Sequence, residues 1–288
     1  MNKFFSIKTD ILCLFIFNKE KRREYRHNAQ AKRLATFAGK QKWGVSYSVY
    51  DGEEILEASI RSIRSSVDYI NVVWQRISWY GEPASKTLEP LLQRLLKEKL
   101  IDELIEFEPD IHRKPGKNET MKRNIGLKAA RKAGCTYFMT MDTDEFYKKE
   151  ELQKAKEFIL KNNITHSYVS QNVYGLNPEE LLLSDTCCCQ FFSRITFFSR
   201  LRNEKKAIAL VDPTRKMSHI PWFLGGSRHY FLHMIRMNHY TFIRRDIEKK
   251  FRNSSCDIVQ IEKDTGIQNC EKLKCMDYFN LNHIRELF

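Results

Sequence analysis

The chain has 288 residues, 42% hydrophobic and 30% charged, with 11 Gly and 7 Pro, which excludes collagen-like, mucin-like and wholly disordered chains and leaves room for one large domain or two small ones. Its formal charge is +13, and residues 1–40 hold ten Lys and Arg against three acids, so more than half of the excess sits in the first seventh of the chain. A nucleic-acid-binding protein needs basic residues interleaved with aromatics across a folded face; charge gathered in a tail argues against that class, and no nucleic acid partner is expected. Residues 1–40 read as a basic, amphipathic extension, 41–240 as the main domain and 241–288 as a helical C-terminal appendage.

Within the extension, the apolar run Ile11–Phe17 is followed at once by Lys19, Lys21, Arg22, Arg23, Arg26, Lys32 and Arg33. That order suits a helix lying in the plane of an anionic membrane surface. The run is too short to span a bilayer, and basic residues after it rather than before it do not make a secretory signal. The expected location is cytoplasmic, peripheral on the inner face of the cell membrane; the alternative is a helix that packs its apolar side on its own domain.

Gly44–Val49 reads as a buried strand, and Asp51-Gly52-Glu53-Glu54 as a helix start with an N-cap and an acidic first turn. Leu56, Ile60, Ile63 and Val67 recur at helical spacing before a second strand over 69–74. A helix over 89–100, a short strand over 104–107 and a helix from about Asn118 follow, the last with Met121, Ile125 and Ala129 on its inner face and Gly134 as its stop. Cys135–Met141 is continuously apolar, like a central parallel strand covered on both faces. Alternating strands and helices predict an α/β fold, a Rossmann-like, mainly parallel central sheet flanked by helices, with ligands at the carboxyl ends of the strands. The eight cysteines contain no Cys-x-x-Cys pair; Cys256, Cys270 and Cys275 are spaced too loosely for a normal structural zinc site, and reduced thiols are expected.

Asp142-Thr143-Asp144-Glu145 follows the central strand directly. Carboxylates at the end of a buried strand need a countercharge, and Mg²⁺ or Mn²⁺, which takes one or two carboxylates and completes its shell with water and phosphate oxygens, supplies one. The other reading makes Asp142 a helix cap and leaves the remaining acids solvated. With its context this stretch resembles the GT-A fold glycosyltransferases, family 2-like, of the bacterial surface-polysaccharide (lipopolysaccharide and capsule) type. Val45–Glu54 is similar to that family's opening strand and loop, Arg123-Asn124-Ile125-Gly126-Leu127 to the helix before its DxD motif, and Met141-Asp142-Thr143-Asp144-Glu145 to the DxD motif itself.

The resemblance implies a nucleotide-sugar donor, a divalent metal on Asp142 and Asp144, sugar transfer to a glycan or lipid-linked acceptor, and Tyr50, Asp51, Arg123, Asn124 and Asp142 near the donor. A late His completes the metal shell in many such enzymes, and His239 is the choice here, with His219, His229 and His233 competing. Val73-Trp74-Gln75-Arg76 departs from the family's acidic pair, and Trp74 is a candidate for stacking on the base. The proton acceptor is not marked; Asp212 ranks first and Asp185 second, each also readable as a turn residue. Arg244 and Arg245 suit a phosphate clamp, but Arg244–Arg252 also reads as the charged face of a solvated helix. A nucleotidyltransferase is the rival enzyme class; the acidic, glycine-poor Tyr50–Glu54 loop argues against its phosphate-binding loop.

Overall fold

The computed structural model describes residues 15–36, 41–203, 212–221, 226–253 and 273–285. Four parallel strands form the first half of the sheet: β1 (Trp43–Val49), β2 (Tyr69–Trp74), β3 (Glu103–Glu106) and β4 (Tyr137–Met141), in spatial order β3-β2-β1-β4. All but β3 are buried along almost their whole length, as strands covered by helices on both faces must be. The covering helices alternate with the strands in sequence: α2 (Glu53–Arg64), between β1 and β2, buries Leu56, Ile60 and Ile63, and α3 (Leu88–Lys97), between β2 and β3, buries Leu88, Leu92 and Leu95, each at the spacing of one helical face.

Helix α4 (Pro115–Lys132) departs from expectation. It begins with Pro115 in its first turn, and its inner face carries Asn118, Lys122, Arg123 and Gly126 as well as Leu127, Ala129 and Ala130, while Met121 is exposed. The expected inner face holds at Ala129 and Ile125 and fails at Met121, because charged residues lie inside, neutralised by partners described below. Gly126 lies against Ser46 of β1, where a Cβ would collide with the Ser46 side chain. Gly134, with φ of +83°, ends the helix as expected. At the start of α2 the N-cap is Gly52, in a left-handed conformation (φ +78°), and no side chain caps the helix; Asp51 is used elsewhere.

The second half of the sheet continues from β4 through β7 (Glu180–Arg194), β6 (His166–Tyr174) and β10 (His229–His239) to the two-residue β5 (Glu145–Phe146). Because β7 is antiparallel to both β4 and β6, and β10 is parallel to β6, strands β1, β2, β3, β4, β6 and β10 all run the same way and their carboxyl ends share one edge. The fold is therefore the expected α/β arrangement with a mainly parallel central sheet flanked by helices. Helix α5 (Lys149–Lys161) joins β5 to β6, and a separate two-stranded ribbon, β8 (Leu201–Arg202) with β9 (Lys216–Met217), flanks α4.

Among the described residues beyond β10, α6 (Ile247–Arg252) and α7 (Leu281–Arg285) are short helices, and β11 (Leu273–Lys274) joins the edge of β7. In the N-terminal extension α1 (Lys19–Thr36) is helical, and the described end of the apolar run is exposed, Phe15 at 71% and Phe17 at 89%. Among the described residues no helix is long and apolar enough to cross a membrane.

Candidate active site

A cavity of about 270 Å³ opens at the carboxyl ends of β1, β4 and β10, lined by Tyr50 and Asp51 after β1, by Asp142–Glu145 after β4, and by His239 at the end of β10. This is the crevice where an open α/β sheet binds ligands, because the connections from neighbouring strands part on either side of it. Of the residues singled out in the sequence, Tyr50, Asp51, Asp142, Asp144, Asp212 and His239 meet here. Arg123 reaches the same cluster from α4.

Asp142 belongs to a network that the sequence did not disclose. The buried Arg123 donates through Nη2 to Glu119 (2.6 Å), Asp142 (3.1 Å) and Asp212 (2.8 Å), and through Nη1 to Thr140 (2.9 Å). Arg215, in a 3₁₀ turn capped by the Asp212 side chain, pairs with Asp142 (2.5 Å), Asp212 (2.9 Å) and Glu145 (2.6 Å). Glu119, Asp142 and Asp212 offer carboxylate oxygens close enough together to hold a metal, but Arg123 Nη2 is hydrogen-bonded to all three and already supplies their cation. The acids differ in consequence. Burial and the neighbouring Asp212 raise the pKa of Glu119, whereas Arg123 and Arg215 overcome the effect of burial on Asp212 and hold it below the usual carboxylate range.

Asp144 is fully buried and differently served. Its Oδ2 accepts from Arg244 Nη2 (2.7 Å) and from Lys250 Nζ, and Arg244 also pairs with Asp51 (3.0 Å). Burial alone would raise its pKa; Lys250, His239 and Arg244 hold it well below the carboxylate range. The other oxygen, Oδ1, has no hydrogen-bond partner and lies 3.4 Å from His239 Nε2. That distance is long for a hydrogen bond and suits two donor atoms on one small divalent cation. An orphaned buried carboxylate oxygen facing an imidazole nitrogen is a donor pair of the kind Mg²⁺ or Mn²⁺ takes, so Asp144 and His239 would hold the implied metal; Asp142 lines the same cavity and is engaged by Arg123 and Arg215.

Other expectations are corrected. Trp74 is buried at the end of β2 with the Arg76 guanidinium over its ring (4.7 Å) and does not line the cavity; the aromatic wall is Trp79, beside the buried Lys122. Asn124 is spent on structure: its side chain bonds both the N–H and the carbonyl of Leu201 and so ties β8 to α4. Asp212, held ionised, is a weak base, as Brønsted behaviour demands of a carboxylate with lowered pKa. Asp185 falls in β7 with its side chain outside the described residues, and Cys256 and Cys270 lie outside the described residues altogether. His229 and His219 pair with each other at the far end of the sheet (3.3 Å), away from the cavity. The Arg244 side chain is only 3% exposed rather than solvated, whereas Arg245 is on the surface.

Lys122, Glu119, Arg215 and Lys250 were missed. Lys122 donates to the Val49 carbonyl (2.7 Å) and to Gln75 (2.9 Å), and burial lowers its pKa to about 7. The available signal was spacing: Glu119, Lys122, Arg123 and Gly126 share one helical face, and a glycine on that face marks the side that packs closely.

No family model matches the chain, and no curated protein does. Among solved structures, residues 1–349 of TarS from S. aureus in complex with UDP-GlcNAc are 14% identical over 80% of this chain and 72% of that one, with a TM-score of 0.44. The same protein with UDP gives 14% and 0.44. A longer TarS structure is 15% identical with a TM-score of 0.43, and this chain spans 42% of its length. The mannosyltransferase Ktr4p from S. cerevisiae is 10% identical over 62% of this chain and 57% of its own, with a TM-score of 0.27.

Proposed function

We propose that this chain is a glycosyltransferase of GT-A type that moves a sugar from a nucleoside-diphosphate sugar to an acceptor hydroxyl in bacterial surface-glycan assembly. One observation carries the reading: the unpartnered Asp144 Oδ1 faces His239 Nε2 inside the crevice at the carboxyl ends of the strands. A divalent cation, Mn²⁺ or Mg²⁺, held there supplies the Lewis-acid charge that stabilises a departing diphosphate. Asp142, fixed by Arg123 and Arg215, orients the donor; Tyr50, Asp51, Trp79 and Lys122 wall the cavity beside it.

The proton of the acceptor hydroxyl goes to the Glu119–Asp212 pair. Two adjacent carboxylates with pKa values pushed apart divide the work, and the raised member, Glu119, is the better base. The acceptor is a glycan or a lipid-linked sugar, and the basic α1 with the exposed Phe15 and Phe17 suits peripheral contact with anionic lipid.

The test is thermal denaturation with UDP-, GDP-, CMP- and dTDP-sugars, with and without Mn²⁺, since a ligand that binds only the native state raises the Tm by mass action. One nucleotide is expected to raise the Tm only when Mn²⁺ is present. No shift with any of the four would contradict the reading.

A further inference from the structure

The cations on Asp144 come from a segment whose attachment differs from that of the rest of the fold. Tyr240 and Ile243 are buried and anchor the chain after β10. From Arg245 to Asn253 the attachments are mainly polar, with Phe251 edge-on to Phe242 (6.5 Å): the Arg245 N–H donates to Glu54 (2.7 Å), Lys249 Nζ to the Pro83 carbonyl (2.9 Å), and Asn253 Nδ2 to Glu82 (2.5 Å). Helix α6 buries no residue of its own, and its first turn is closed by Asp246 accepting from the Lys249 N–H (2.7 Å). A strap held by exposed hydrogen bonds separates from the body at far lower cost than one held by apolar burial. It nonetheless delivers Lys250 into the cavity, onto the Asp144 carboxylate.

Asp144 is shared by two cations. One carboxylate, 1% exposed in its side chain, carries both Arg244 and Lys250, while its Oδ1 faces His239. Arg244 has a second acid, Asp51, and would stay neutralised if it left Asp144; the hydrogen bonds of Lys250 include no second acid among the described residues. Lys250 is thus the cation held by Asp144 alone among the acids of the described residues. A divalent ion at Asp144 would lie against Lys250, and in a poorly solvated cavity like charges a few ångströms apart cost several-fold more than in water. An incoming diphosphate reverses the sign and gives the lysine a polyanion to bind.

Building on the glycosyltransferase reading, we propose that Lys250 is an internal counter-ion that occupies Asp144 in the donor-free protein and transfers to the donor's diphosphate when the donor binds, so that metal and lysine compete for one carboxylate and the diphosphate settles the competition. The strap of residues 245–253 follows the lysine and closes over the donor, while Arg244 stays on Asp51 and Asp144. The arrangement makes metal and donor binding cooperative: each removes what opposes the other.

The experiment is calorimetric titration of Mn²⁺ into nucleotide-free protein, then of UDP and of GDP with and without Mn²⁺, for the wild type, K250M and K250R. Arg244 remains on Asp144 in K250M, so the carboxylate keeps a partner and the variant folds; its Tm is measured alongside. K250M is expected to bind Mn²⁺ about tenfold more tightly without nucleotide and nucleotide about tenfold more weakly with Mn²⁺, a change of about 1.4 kcal/mol in each direction. K250R is expected to follow the wild type. Unchanged or weaker Mn²⁺ binding by K250M, or unchanged nucleotide affinity, would overturn the exchange while leaving the glycosyltransferase reading intact. Failure of the wild type itself to bind either nucleotide or Mn²⁺ would overturn that reading, and this proposal with it.

Discussion

At the carboxyl ends of β1, β4 and β10, six carboxylates and four lysines or arginines line one cavity, whereas the amino ends of the same strands close mainly on stacked rings, with Lys156 over Trp43 as a charged neighbour. There Trp43 stacks on Tyr137 (4.5 Å) with Phe192 at its edge (4.8 Å), and His166 stacks on His229 (4.8 Å). Both ends are well buried, so burial does not distinguish them; the cost of burial does. Aromatic rings enter the core favourably, while each buried charge needs a partner or a ligand to offset its desolvation. A fold that keeps ten charged groups at one end and rings at the other has put its chemistry at the first and its packing at the second.

Substitutions separate the two ends in graded fashion. Arg123→Met removes the cation shared by Glu119, Asp142 and Asp212 and is expected to cost about 4 kcal/mol of stability together with activity, as when one partner of a buried ion pair is removed; urea denaturation measures the first. Asp144→Asn is expected to cost about 3 kcal/mol, because Lys250 loses its acid. Combining it with Lys250→Met should recover part of that loss, and additive effects of the two substitutions would show that they do not interact.

The amino-terminal end predicts a pH effect without a loss of function. Burial lowers the pKa of His166 to about 3, against about 6.5 in an unfolded chain, so the unfolded state takes up the proton first. The stability due to neutral His166 is complete above pH 6.5 and is lost as pH falls from there to about 3. His166→Gln should flatten that limb in denaturation followed against pH, while nucleotide binding at pH 7.5 stays unchanged. The smallest effect expected is Asn124→Ala, about 1 kcal/mol for the lost tether to Leu201 with donor affinity unaltered, checked by urea denaturation and calorimetry.

The sequence disclosed one end of the molecule better than the other. Strands β1, β2 and β4 are legible because unbroken apolar runs have few alternatives, and Asp142 and Asp144 because acids directly after such a run stand out. The partners of those acids were hidden for a physical reason. Arg123 and Lys122 lie in a helix whose charged residues look solvated by composition, and Arg215, Arg244 and Lys250 come from 70 to more than 100 residues downstream, joined to the site by topology alone. The base-stacking role given to Trp74 failed for a related reason: a Trp at a strand's end reads alike whether the next residues open a cavity or cover it, and here Arg76 covers it. Glycine spacing on α4 was the one local sign of the inner face, and it was outweighed by Met121, which lies outside.

Release of nucleoside diphosphate from nucleotide sugars, followed as Mn²⁺ is titrated into the wild type and into Asp144→Asn, tests the central claim most directly. The wild type should show saturable, metal-dependent release with one nucleotide, and Asp144→Asn should show none at a temperature where circular dichroism confirms that it is folded. Wild-type release by Asp144→Asn, or release by the wild type that is indifferent to EDTA, would contradict the account.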